Sequence, residues 1–485
     1  MIITPVGWIV LVGALAMVWR PTSIGAILLG LAIPMQISAA FILPVVGNSS
    51  VPASYVLVGA LVAAIVCRPA VANACFSFGA RNRPVQTFAL LVVYAAASAY
   101  LMPRLFSGQV EVFNLVRAGR PDFEADQPLL RPTSGNVTQS VYLIGEFLFF
   151  AVFVFLLSLK DGLRVGLHAL NAASAVTIVF GILSALEGVA GTGVILDFFR
   201  TSNYAILNHQ QVFGLLRVSG PSVEPSSFGG LTVSLFVFNF VRYLQTRGLW
   251  HGVAASLLLL GVIASFSTTG YAALAVIILL WSALTGGRLV YRGLSKDDLI
   301  GVLLASITAG SIIAVLLFAP AQQFALDLYT RLFGEKLSSA SGLERTAWTA
   351  RSFANFTETY GLGVGLGSGK GSSHLITVIG NLGLIGSVLY LLFVAQVLGA
   401  PSSRVNLPNL PEREAALRCF RAARAGCVAQ LVAASVSGTM ARPGLLFLMF
   451  AAISVASLGH ARRALRRYAN GWTADSTVEK TNTSR

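Results

Sequence analysis

An arginine and a glutamate stand seven residues apart in Arg217-Val-Ser-Gly-Pro-Ser-Val-Glu224, and Pro225 follows directly. The two prolines stiffen the stretch, so both side chains are expected at the mouth of the apolar segment that comes next. A cation and a carboxylate held there can neutralise a phosphate and take a proton from an attacking hydroxyl. The bland reading is an arginine reaching to lipid headgroups and a glutamate that merely starts a helix. A second set lies in Ser341-Gly-Leu-Glu-Arg-Thr-Ala-Trp-Thr-Ala-Arg351, where Arg345, Trp348 and Arg351 recur at intervals of three. On a helix this spacing is expected to bring all three to one face. That face suits a helix lying in a membrane interface as well as a clamp of arginine forks on phosphate oxygens.

Residues 361–371 read Gly-Leu-Gly-Val-Gly-Leu-Gly-Ser-Gly-Lys-Gly. As a nucleotide loop the run fails twice, because Val364 stands where a glycine is required and Gly371 follows Lys370 where Ser or Thr is required. Its backbone N–H groups could instead form a nest for an anion, with Lys370 as a point charge. The helix expected from His374 would add its N-terminus. A flexible entry loop is the alternative. Trp348, Gly365, Gly367 and Ser368 are the expected substrate lining. His374 joins Glu224 as a candidate proton acceptor, and the residues leave that choice open. Glu146, in Val141-Tyr-Leu-Ile-Gly-Glu-Phe-Leu-Phe-Phe150, is an intramembrane carboxylate, either functional or half of a structural pair. The turn Thr268-Thr-Gly-Tyr271 is given only a lining role. The four cysteines and five histidines match no metal-ligand spacing, so neither a metal nor a cofactor is expected.

The elements that must position these residues follow from composition. Of 485 residues, 55% are hydrophobic and 11% charged, and the mean hydropathy is +0.76. A soluble domain carries about 25% charged residues, so an ordinary soluble enzyme is excluded. Apolar stretches predict thirteen spans near 6–19, 24–46, 51–67, 86–102, 138–159, 165–187, 227–245, 250–266, 267–285, 298–320, 374–399, 423–440 and 443–461. These must be helices, because in lipid each backbone polar group needs a partner within its own segment. The expected fold is therefore an all-α polytopic integral membrane protein of about 12–13 transmembrane helices. Residues 1–461 form one membrane domain, and 462–485 form a basic, polar tail expected to fray in the cytoplasm. The first apolar run lacks the marks of a cleavable signal peptide.

The formal charge is +15. Twenty-two of the 34 lysines and arginines, but seven of the 19 acidic residues, fall in one alternating set of short connections and the carboxyl tail. The positive-inside rule makes that set cytoplasmic, which places the amino terminus outside. The excess charge then concerns topology and anionic headgroups, and no nucleic-acid partner is expected. Three connections on the outer side are long, about 103–137, 188–226 and 321–373, and long connections are often functional. All four cysteines lie on the cytoplasmic side or just inside a span, so no disulfide framework is expected.

The string Arg217-Val-Ser-Gly-Pro-Ser-Val-Glu-Pro-Ser-Ser-Phe228 resembles the outer-loop motif of bacterial exopolysaccharide and O-antigen polymerases. Ser341–Arg345, Gly361–Ser368 and Gly380-Asn-Leu-Gly-Leu-Ile-Gly386 resemble their large second loop and the helix after it. The O-antigen ligases share this layout and typically show a His where His374 stands, whereas Glu224-Pro-Ser226 is closer to the polymerases. Lys370 departs from the arginine expected in that subgroup. The resemblance implies a membrane glycosyltransferase C-like fold with large periplasmic loops in the bacterial inner membrane. It implies glycosyl transfer from undecaprenyl-diphosphate-linked oligosaccharide to a growing polysaccharide, without metal or cofactor. Arg217, Arg345, Arg351 and Lys370 would hold the diphosphate, and Glu224 or His374 would serve as base. Further implied partners are the lipid bilayer, a flippase and a chain-length regulator. The rival readings are a ligase that moves finished polymer to lipid A core and a flippase for lipid-linked glycans.

Overall fold

The computed structural model describes residues 1–44, 48–113, 128–203, 206, 210–212, 215–292, 323, 340–399 and 410–482. Apolar runs bounded by proline, glycine or capping residues become helices in most of the places expected. In chain order these are α1 (Pro5–Trp19), α2 (Ser23–Ala32), α3 (Ala53–Val66), α4 (Pro69–Gly79), α5 (Arg83–Leu105), α6 (Ser134–Ser158) and α7 (Gly162–Ala185). Short helices α8 (Glu187–Ala190) and α9 (Gly193–Phe199) precede α10 (Pro225–Thr246), α11 (Leu249–Ala264) and α12 (Thr268–Arg292). The last four are α13 (Ala340–Glu358), α14 (His374–Leu398), α15 (Pro411–Ser437) and α16 (Leu445–Asn482).

Among the described residues, six helices are long and apolar enough to cross a membrane: α5, α6, α7, α10, α14 and the Leu445–Asn470 part of α16. A seventh crossing arises if α3 and α4 count together, although they bend by 107° at Arg68-Pro69. Shorter apolar helices occupy Pro5–Trp19, Ser23–Ala32, Leu249–Ala264 and Thr268–Ala283. The chain is thus a mostly helical membrane protein. The expected span 298–320 lies outside the described residues.

Two expectations need correction. Residues 24–46 are not one span: α2 stops near Pro34, which cannot donate to a helix, and Ala39–Leu43 forms a strand. That strand, β2, lies between β1 (Ile2–Ile3) and β3 (Ser49–Pro52) in an antiparallel sheet, and β4 (Gln211–Val212) pairs with β5 (Leu215–Leu216). A continuous apolar run alone does not separate strand from helix. The tail, expected to fray from 462, continues α16 as far as Asn482. Its first part, Ala461-Arg-Arg-Ala-Leu-Arg-Arg467, consists of strong helix formers.

The centre of the bundle is α10, packed against α11 and α15, with α16 bridging α15 and α6. Phe393 of α14 stacks on Phe88 of α5 at 4.6 Å and meets Phe150 of α6 edge-on at 5.2 Å. These rings fix α14 against α5 and α6, beneath the loop that enters it.

Candidate active site

Arg217 is held from three directions before α10 begins. Its backbone N–H donates to the Gln210 carbonyl at 2.9 Å, and Val218 donates to Ala264 at 3.2 Å. Its Nε donates to the Ser265 carbonyl at 3.1 Å, and its Nη1 donates to Gln210 Oε1 at 2.5 Å. The residue is 8% exposed, and its third nitrogen, Nη2, has no partner among the described residues. Ser265, at the end of α11, therefore supports the arginine directly, whereas Thr268-Thr-Gly-Tyr271, expected as a lining turn, is the first turn of α12.

Glu224 is the extended residue before α10, with Pro225 at the first helical position, and its side chain does not cap the helix. Its Oε1 accepts instead from the hydroxyls of Ser226 and, at 3.4 Å, Ser227. The Glu-Pro-Ser-Ser string is thus a local device: proline starts the helix, and the two serines of its first turn aim the carboxylate.

The large connection contributes α13 and the glycine loop. Trp348, Ser352, Asn355 and Thr359 are buried at helical spacing and lie towards α14. Glu344, one turn before Trp348, continues this stripe towards the site. Lys370 lies with Nζ 3.5 Å from the Trp348 ring centroid, a cation–π contact. Arg345 enters the same electrostatic group, and its carbonyl accepts from Thr349 and Ser372, both at 2.9 Å. Burial pushes the Arg217 guanidinium below its ordinary range, against the opposing pull of Glu224 and Tyr271, and Arg345 pushes the same way as burial. Burial likewise lowers the Lys370 ammonium, opposed by Glu344 and Glu224 and reinforced by Arg345. Glu224 and Arg345 therefore act on both Arg217 and Lys370. Three cations gather here with two carboxylates, a net positive centre able to hold an anion.

The glycine loop does not form the expected anion nest. Its amides have protein partners: Gly363 donates to Thr359 Oγ1, Val364 to Gly380 O, Gly365 to Asn381 O and Gly369 to Asn381 Oδ1, all at 2.8–3.0 Å. Gly363, Gly365 and Gly367 all have positive φ, and a Cβ on each would lie 2.6 Å from neighbouring backbone at Asn381, Ser98 and Gly135. The alternation lets the loop thread between α5, α6 and α14. Ser368 accepts from Asn136 Nδ2 at 2.8 Å. Gly367 lines a small cavity with Gln139, Asn381 and Met440, whereas Gly365 and Ser368 are buried structural positions. Inside α14, Gly383 is non-helical (φ 62, ψ −161), and Leu384 donates to Gly361 O at 2.8 Å. The loop is thereby wedged into a break in the helix it introduces.

Two expected site residues are engaged elsewhere. Arg351 does not share a face with Arg345: six residues at 3.6 per turn leave them about 120° apart. Its Nη2 pairs with Glu358, and its Nε donates to Glu111 O at 2.8 Å and Asn355 Oδ1 at 3.0 Å. His374 is 3% exposed, with Nδ1 2.8 Å from Met440 O and Nε2 2.8 Å from Tyr390 Oη. Because a carbonyl only accepts, Nδ1 carries the proton, and Nε2 accepts from the tyrosine. Neither nitrogen is free to take a proton from a substrate. Arg331 and Lys336 of the same connection lie outside the described residues.

Arg442, whose side chain is 16% exposed, is a paired charge that the sequence reading overlooked. It pairs with Glu146 of α6, which is 0% exposed, and its Nε donates to Gln139 Oε1 at 2.9 Å. Tyr55 Oη donates to Glu146 Oε1 at 2.7 Å, and the Gly444 amide reaches Oε2 at 3.3 Å. Glu146 is thus half of a structural pair. The signal was present in Thr439-Met-Ala-Arg-Pro-Gly444, an arginine in a short turn between two apolar runs.

No model of a known protein family matches the chain. No curated protein matches it either.

Proposed function

We propose that the protein is a membrane glycosyltransferase, metal-independent and cofactor-free, that acts as a polysaccharide polymerase. It joins repeat units carried on undecaprenyl diphosphate, at the periplasmic face of a bacterial inner membrane, with its carboxyl terminus in the cytoplasm. The polytopic fold of about 12–13 spans, the large periplasmic loops and the membrane glycosyltransferase C-like class belong to the same reading. The observation that carries it is the meeting of Arg217, Glu224, Arg345 and Lys370 from separate segments at the start of α10, with one guanidinium N–H buried and unpartnered.

In this reading a hydroxyl of the acceptor unit attacks the anomeric carbon of the donor unit. The new glycosidic C–O bond forms as the bond to the diphosphate breaks, and the diphosphate leaves on its lipid. Glu224, aimed by Ser226 and Ser227, takes the hydroxyl proton. Arg217, Arg345 and Lys370 stabilise the charge that develops on the leaving diphosphate. Trp348 holds the lysine in place. Arg351 and His374 position α13 and the start of α14 and touch no substrate. The apolar helices accommodate the polyprenyl tails, and a flippase and a chain-length regulator would work on either side of this step.

The test is the set of lipid-linked glycans in a strain lacking the gene, complemented with wild type or Arg217→Ala. A polymerase leaves single repeat units on the carrier in the variant, displayed on the outer face. Long lipid-linked chains would show a ligase instead, a reading that leaned on His374, both of whose ring nitrogens are occupied. Single units trapped on the inner face would show a flippase.

A further inference from the structure

Among the described residues, the charged groups of the site include two buried atoms without a hydrogen-bond partner, Arg217 Nη2 and Glu344 Oε1. An unpartnered buried charge costs as much as a broken hydrogen bond, so each atom offers an open position to an atom of another molecule. The two are opposite in kind. The guanidinium N–H needs an acceptor, and the carboxylate oxygen needs a donor. A fully ionised diphosphate satisfies the first and repels the second. A lipid-linked sugar diphosphate carries a group for each, phosphate oxygens for the guanidinium and sugar hydroxyls for the carboxylate.

Among the described residues, Glu344 is not held by a neighbouring cation: no ion pair within 4.0 Å includes it, and Lys370 sits on the Trp348 ring instead. Its charge nevertheless acts on Lys370, as that of Glu224 does. Glu224 has two serine hydroxyls on Oε1, whereas Glu344 Oε1 has none. The first carboxylate is pre-aimed within the protein, and the second awaits its donor.

We propose that Glu344 is a positioning and specificity residue whose Oε1 accepts a hydrogen bond from the sugar next to the diphosphate. This rests on the glycosyl-transfer reading above. It assigns the recognition of saccharide to α13 and the recognition of lipid diphosphate to Arg217. The two halves of the donor are then read by oppositely charged groups.

The experiment compares two probes on the purified full-length protein in lipid nanodiscs. One is bare undecaprenyl diphosphate, and the other is the lipid-linked repeat unit that accumulates in the deletion strain. Wild type is expected to bind the linked unit roughly 10-fold or more tightly than the bare lipid, the value of one hydrogen bond to a charged acceptor. Glu344→Ala is expected to erase that difference and Glu344→Gln, which keeps a neutral acceptor oxygen, to reduce it. The bare lipid is expected to bind each variant at least as tightly as wild type, because a charge that repels the diphosphate is gone. Arg217→Ala is expected to weaken both. Retained binding of the bare lipid also reports that the variants are folded. Discrimination by Glu344→Ala equal to wild type overturns the inference alone, and loss of the bare lipid as well makes Glu344 structural and overturns it too. Wild type that binds neither probe overturns the glycosyl-transfer reading and the inference together.

Discussion

Glu146 and Arg217 are both buried charges, but their surroundings differ. Glu146 has Arg442, Tyr55 and the Gly444 amide on its two oxygens, and Arg442 in turn holds Gln139. Arg217 has Gln210 and Ser265, and one nitrogen remains without a partner. A buried pair with every group bonded is a finished piece of architecture, and removal of either half leaves a stranded charge. A buried charge with an open position is unfinished until a ligand arrives, and stability is the wrong place to look for its effect. Burial alone would have classed the two together, and hydrogen-bond completion separates them.

The sharpest way to break this comparison is Arg442→Ala, which strands Glu146 and should cost about 3–5 kcal/mol of stability. A detergent thermal-melt series would show it as a large fall in Tm and yield. Pairing it with Glu146→Gln should recover most of the loss. Arg217→Ala should do the reverse, with a near-native Tm and chain extension lowered roughly 10²- to 10³-fold, the range for one charge-stabilising donor. A Tm as low as that of Arg442→Ala would erase the distinction. His374→Ala belongs with the finished cluster: stability should drop by about 1–3 kcal/mol, with the pH profile of the residual activity unchanged. The smallest effect is a shift of pH dependence. Because burial lowers the Lys370 ammonium, its charge, and with it anion binding, is present at lower pH and lost as pH rises. The loss should come before the ~10.4 of an ordinary lysine. Lys370→Arg should move that alkaline limb of the rate profile upward, and an unmoved limb would remove Lys370 from the site.

Much of this was legible in the chain because local rules apply. Glu224-Pro225 announced the start of α10, and the glycines of 361–367 announced a backbone that only glycine tolerates. Arg217, Glu224, Arg345, Trp348 and Lys370 could be singled out by residue type. Pairing was not legible. Arg442 and Glu146 are 296 positions apart, and neither segment hints at the other. His374 has the chemistry of a base, and only its distances to Met440 and Tyr390 show that both nitrogens are occupied. Arg351 was assigned to a shared face by a spacing of three taken twice, although each step turns the helix about 60° short of a full circle. The apolar run 24–46 concealed a strand because hydrophobicity reports burial before it reports geometry.

The sharp bend between α3 and α4 bears on the lipid as much as on the protein. Fourteen helical residues in Ala53–Val66 reach about 21 Å, against a hydrocarbon layer of about 30 Å. α4 then turns aside, with none of its residues buried and Phe76 79% exposed. With α1 at 15 residues and α2 at 10, this flank is shorter than the bilayer it meets. Mismatch of this kind is relieved by thinning of the surrounding lipid. Thinning beside α3 would bring lipid headgroups there closer to the bilayer midplane than they lie around the longer helices.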